Sequence, residues 1–193
     1  MRIAVDTREQ RPFTFESYSV EVVRGTLAAG DYSLAGLESL VTVERKELSD
    51  LAACLGRERS RFENELQRLR AYESAAVVVE SPIEALARGE YRSALHPNAA
   101  YESVVCFMAR YRLPFFFAQD RRGAERFTFS FLRHYWRTIE RRYNAVACED
   151  APRSRKAGDD RAKPQKEKNT YPKSNLIHPE KQEISENKGV QWL

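Results

Sequence analysis

The sequence predicts an α/β fold, a central mixed β-sheet flanked by helices, on three observations. Strand-like runs crowd the chain up to Lys46, and helical and strand-like segments alternate from Glu47 to Asn144. One of the later runs, Ala75-Ala76-Val77-Val78-Val79, is too short and too β-branched for a helix. Strands first and alternation afterwards give a sandwich whose sheet is antiparallel at its start and parallel later.

Each element has its own signal. Arg2 to Asp6 opens the chain as a short strand, and Ser19 to Arg24 alternates as a second. Asp31 to Leu34 and Leu40 to Arg45 form a meander turning around Gly36. Glu47 to Leu55 and Ser60 to Tyr72 are helical, the second with Phe62, Leu66 and Leu69 on one face. After the buried strand Ala75 to Val79, Pro82 begins a short helix and Asn98 caps another that runs to about Arg112. Phe115 to Phe117 is a further buried strand, and Ala124 to Asn144 a long helix with a wide aromatic face of Phe127, Phe131, Tyr135, Trp136, Ile139 and Tyr143.

The chain has 193 residues, 42% of them hydrophobic, enough for one core with an appendage. Cys54, Cys106 and Cys148 form an odd set without zinc-finger spacing to any histidine, which points to core thiols in a reducing compartment rather than a disulfide scaffold. No apolar run approaches membrane-spanning length and the first residues lack a signal-peptide stretch, so a cytoplasmic protein with no membrane partner is expected. The formal charge of +4 comes wholly from residues 151–193, which carry 10 Lys+Arg against 6 Asp+Glu. These polar residues bury too little to order themselves. Residues 1–148 are therefore expected to form the domain and residues 149–193 a flexible, disordered basic tail.

Before residue 151 lysine occurs once, at Lys46, among 22 basic residues, and aspartate before Asp150 occurs four times, at Asp6, Asp31, Asp50 and Asp120. Glu44 and Lys46 sit two apart on a strand and project to one side, while Arg45 points to the other. Asp31 lies one hairpin away and reaches the same edge if the two strands pair. Two carboxylates about 4 Å apart repel by roughly 4 kcal/mol at an effective dielectric near 20. Gathering Asp6, Asp31 and Glu44 therefore makes sense around a cation, with hard oxygens suited to Mg²⁺ or Mn²⁺ and an ammonium beside them. Spacing alone leaves open the plainer reading, in which each is a solvated turn residue.

Val5-Asp6-Thr7-Arg8-Glu9, Gly30-Asp31-Tyr32 and Glu44-Arg45-Lys46 followed by Asp50 match in order and spacing the V-D-x-R-E, G-D-Y and E-R-K-x-x-x-D blocks of the XPF family of DNA repair endonucleases, whose archaeal members include Hef. The resemblance spans roughly Met1 to Asn144. It implies a restriction-endonuclease-like fold that cleaves DNA phosphodiesters with Mg²⁺ or Mn²⁺, leaving a 5′-phosphate and a 3′-hydroxyl. Carried over, Asp31 and Glu44 are the principal metal ligands, Asp6 a further acidic member, and Lys46 the water-positioning base or an electrostatic partner. Arg8 and Glu9 support the site, Arg45 contacts the DNA backbone or braces the strand, and Asp50 completes the motif. Asp50 also suits the positive end of a helix, whatever the chemistry.

Members that cut branched DNA carry a tandem helix-hairpin-helix module, and nothing after Asn144 resembles one. Arg57, Arg61 and Arg68, clustered opposite the Phe62 stripe, are the candidate DNA grip, and Arg126, Arg133, Arg137 and Arg141 form a second row. The family also dimerises through late helices of the nuclease domain, so a homodimer or a heterodimer with a non-catalytic partner is implied. The contrasting expectation is a catalytically idle member that binds DNA or a nuclease partner.

Overall fold

The computed structural model describes residues 1–149. The chain divides into two units, Met1–Pro152 and Arg153–Leu193; of the tail expected to be disordered, Glu149 belongs to the last helix and the rest lies outside the described residues. Among the described residues, six strands and five helices follow in the order β1 (Arg2–Asp6), β2 (Glu21–Gly25), β3 (Tyr32–Leu34), β4 (Val41–Lys46), α1 (Leu48–Leu55), α2 (Arg59–Leu69), β5 (Ser74–Val79), α3 (Ile83–Arg88), α4 (Pro97–Tyr111), β6 (Phe115–Phe117) and α5 (Arg121–Glu149). They form one mixed sheet in the order β2-β1-β3-β4-β5-β6.

The sheet departs from expectation at its first edge. β2 pairs with β1 in parallel, whereas β1–β3 and β3–β4 are antiparallel and β4–β5–β6 parallel. A parallel return needs a crossover of a dozen or more residues, and here residues 7–20 supply it without a helix. That loop is anchored by aromatics. Phe13 stacks on Tyr32 at 4.8 Å between ring centres, and its amide donates to the Tyr32 hydroxyl at 2.9 Å. Phe15 is buried edge-on to the same ring, and its amide donates to Glu125 on α5.

Period-two alternation sorts the side chains of β4 and β5 onto two cores. Val41, Val43 and Val78 join Ile3, Val5, Tyr32, Phe13 and the inner face of α5. Ala75, Val77 and Val79 face Leu51, Leu55, Phe62, Leu66 and Phe107 from α1, α2 and α4. Thr42, Glu44 and Lys46 share the second face by the same rule, so the charged end of β4 opens beside α1 and α2.

Two helix starts differ from the sequence reading. His96 rather than Asn98 caps α4, its Nδ1 accepting the Asn98 amide at 3.3 Å with Pro97 next to it. α5 begins at Arg121, where Asp120 accepts the Gly123 amide at 2.7 Å. The thiols differ as well: Cys54 is half-buried and Cys106 is exposed on α4, so neither is a core residue. No described helix is long and apolar enough to cross a membrane.

Candidate active site

A cleft of about 570 Å³ opens where β1, β3 and β4 meet α1 and α2. Its walls hold Asp6, Arg8, Glu9, Asp31, Glu44, Arg45, Lys46, Asp50, Arg57, Arg61 and Arg68, eleven residues drawn from four separated stretches of sequence. The cleft thus borders every candidate residue of the three motifs and the first arginine cluster, with the Arg45 side chain turned to the other face of β4.

Asp31 stands just before β3, held by the hairpin. Its amide donates to Val43 O at 2.9 Å, and its Oδ2 accepts the Arg45 amide at 2.7 Å. Gly30 before it adopts φ +80°, and a Cβ there would lie 1.9 Å from Thr42 Oγ1, itself bonded to Ala29 O. Glycine is what lets Asp31 approach β4 so closely. Burial pushes the Asp31 carboxyl up to about 6, against the pull of the Arg45 amide and Lys46.

Glu44 is 4% exposed, and burial raises its carboxyl well above the usual range, with repulsion from Asp31 and a side-chain hydrogen bond to Glu65 adding to the rise. Lys46 offsets part of this by bonding Glu44 Oε1 through its Nζ. The same Nζ lies 3.3 Å from Glu65 Oε1 and 5.5 Å from the centre of the Phe62 ring. Burial works against the ammonium charge, but Glu44 and Glu65 outweigh it and raise the lysine above its ordinary value. Glu65, on α2, is a member of this group that no sequence motif marked. Its signal is the interior side of the Phe62–Leu66–Leu69 stripe, where a carboxylate next to buried positions calls for a partner.

Asp6, expected to offer a third oxygen, has both oxygens engaged within the protein. Oδ1 accepts the Arg8 amide and Nε at 2.7 and 2.8 Å, and Oδ2 accepts Arg8 Nη2 at 3.0 Å and the Leu27 amide at 2.7 Å. The Arg8 guanidinium holds this carboxyl down to about 2, against the opposing effect of burial. Arg8 Nη2 also donates to Leu27 O at 2.7 Å, tying the end of β1 to the loop before β3.

Arg45 points to the opposite face, as alternation requires. Its Nε donates to Glu80 at 2.6 Å and Nη2 to Glu47 at 2.9 Å, while Nη1 lies 3.5 Å from Glu9. Its side chain is 7% exposed, so it acts inside the fold, between strands and loop. Asp50 sits in the first turn of α1 and faces the cleft. Arg57 and Arg61 stand out from the rim at 80% and 82% exposure, and Arg68 is exposed one turn and more along α2. In the second arginine row, Arg133 packs over the Phe129 ring at 5.5 Å, so that row is not a uniform solvent face.

The donor set fits a hard divalent cation. Asp31 and Glu44 are carboxylates of one cleft whose charge is disfavoured by burial and by neighbouring acids, Glu9 and Glu65 acting on Asp31 and Asp31 on Glu44, and a cation would relieve both effects. Among the described residues no three His, Cys, Asp or Glu side chains close into a finished cage.

The ERCC4 domain model matches residues 5–131. Among solved structures, XPF from Aeropyrum pernix superposes with a TM-score of 0.59 at 26% identity, covering 79% of this chain and 74% of that one. A second structure of XPF from Aeropyrum pernix, in complex with DNA, gives a TM-score of 0.57 at 29% identity, covering 71% of this chain and 66% of that one. No curated protein sequence matches the chain.

Proposed function

Because the chain belongs to the ERCC4-domain family of XPF-type nucleases, we propose that it is a DNA endonuclease that hydrolyses phosphodiester bonds with Mg²⁺ or Mn²⁺. The observation that carries this reading is the meeting of Asp31, Glu44 and Lys46 at neighbouring strand ends, in a cleft rimmed by exposed arginines. Asp31 and Glu44 would hold the cation. When bound, it polarises the scissile phosphate and lowers the pKa of a water.

The chain's own residues do the rest. Lys46 orients the attacking water and offsets charge building on the phosphorus oxygens. Arg57, Arg61 and Arg68 bind backbone phosphates, for which the guanidinium fork is suited. Asp6 and Arg8 keep the end of β1 against the loop that carries Asp31, and Arg45 with Glu9 braces β4 from behind. Asp50 faces the cleft from the first turn of α1, where it can orient a water. Cleavage leaves a 5′-phosphate and a 3′-hydroxyl, and the biological setting is DNA repair or recombination in the cytoplasm.

The grip on DNA is shared. Residues 151–193 add nonspecific, salt-sensitive attraction through their excess charge. Phe116, stacked 4.1 Å from Phe127, is 41% exposed, and Tyr143 and Val146 farther along α5 are 72% and 64% exposed. These exposed hydrophobic residues support a homodimer or a heterodimer with a related subunit.

The test is incubation of the full chain with flap, fork and linear duplex DNA, with Mg²⁺, with Mn²⁺ and with EDTA. Cation-dependent cutting is expected. DNA binding without cleavage under every condition would make the protein a binding module instead.

A further inference from the structure

We infer that Glu65 is a positioning residue for the reaction proposed above, holding the Lys46 ammonium in place through α2. This rests on the nuclease reading. It adds a residue that lies outside all three sequence motifs.

The geometry begins with the two partners available to Lys46. One is Glu44, bonded directly to Nζ, and the other is Glu65, with Oε1 3.3 Å from the same atom. Glu44 is the carboxylate assigned to the cation, so its oxygens are in demand elsewhere when the site is loaded. Glu65 is then the carboxylate left to hold the lysine. Without it, a four-carbon side chain with several rotatable bonds would keep no fixed direction.

α2 is built to hold that carboxylate still. Phe62, one turn before Glu65, is 1% exposed and places its ring 5.5 Å from Lys46 Nζ. Its own ring is wedged edge-on against Phe107 and Phe115, at 5.9 and 6.3 Å. Leu66 and Leu69 are fully buried beside it. One helix therefore presents an aromatic ring and a carboxylate to the same ammonium, from a base locked into the core. Both side chains of the pair are shielded, Lys46 at 14% and Glu65 at 19% exposure, which makes the contact stronger than an exposed ion pair.

The test uses the full chain carrying Glu65→Ala or Glu65→Gln. Glu65→Gln keeps size and an acceptor, and it replaces Glu65→Ala should the latter melt early. Single-turnover cleavage at saturating cation is expected to slow by about tenfold or more in Glu65→Ala and by less in Glu65→Gln. DNA affinity and Mn²⁺ affinity should stay within about twofold of wild type, a split that general loss of structure would not produce. A second readout needs no activity. Acylation of Lys46, mapped by peptide mass spectrometry against the lysines after residue 150 as internal standards, is expected to run several-fold faster in both variants.

Wild-type cleavage with unchanged rates in both variants, or unchanged Lys46 acylation, would overturn the role of Glu65 and leave the nuclease reading standing. A wild-type chain that cuts no DNA with either cation would overturn that reading, and the role of Glu65 with it.

Discussion

Asp31 owes its position to the residue before it. Gly30→Ala would drive a methyl into Thr42 at a positive φ, so the hairpin must shift or Thr42 must turn away from Ala29 O. That variant is expected to melt lower and to lose most cleavage, readable together in a thermal scan and a nicking assay. Asp31→Asn should instead leave melting near wild type, and Lys46→Ala should lower it by leaving Glu44 and Glu65 without their shared counter-charge, while cleavage falls by about a thousandfold or more in both. Asp6 serves the fold. Its carboxyl is held at about 2, below the ordinary 3.8, so the stability it contributes is present above pH 4 and is lost as pH falls toward 2. Asp6→Asn should flatten the acid limb of a stability–pH curve over that window. The proximity of Asp31, Glu44 and Lys46 was legible because strand alternation and a short hairpin are local rules. The contact with Glu65 was not, since it joins residues 19 positions apart through the packing of α2 on the sheet.

Among the elements, β4 depends on a buried network of charges. Glu80 at the end of β5 accepts Arg45 Nε at 2.6 Å and Arg121 Nη1 at 2.8 Å. Arg121, at the start of α5, also donates to the carbonyls of Arg11 and Pro12 and lies 4.9 Å from the Phe13 ring centre. One carboxylate thus fastens β4, the last helix and the crossover loop together. Glu80→Gln would leave the 7% exposed Arg45 guanidinium short of its main counter-charge, and a loss of about 3 kcal/mol is expected in urea unfolding. Unchanged stability would show that Glu9 and Glu47 suffice. The sequence located all eleven elements to within a few residues, because each carries its own periodicity or breaker. It missed the parallel pairing of β2 because residues 7–20 have no helical pattern to announce a crossover, and it missed the His96 cap because Asn98 is the commoner capping type.

Across the whole molecule, an acidic floor lies beneath an arginine rim on a domain whose first 150 residues balance 22 basic against 22 acidic side chains. Affinity for DNA therefore depends on where charges sit rather than on net charge. Replacing Arg57, Arg61 and Arg68 together by alanine should reduce the salt slope of DNA binding by about one unit for each phosphate that is no longer neutralised; an unchanged slope would remove the rim from the interface. The rim was readable from helical spacing, whereas its opening onto the same cleft as the acids is a consequence of how α2 crosses the end of β4.

Binding of a divalent cation by Asp31 and Glu44 beside Lys46 is tested most directly by Mn²⁺ titration of the full chain in the presence of DNA, followed by electron paramagnetic resonance, for wild type, Asp31→Asn and Glu44→Gln. Bound Mn²⁺ is expected in wild type, and its loss in both variants. Mn²⁺ that fails to bind, or that binds equally well to all three proteins, would contradict a metal site at these two carboxylates.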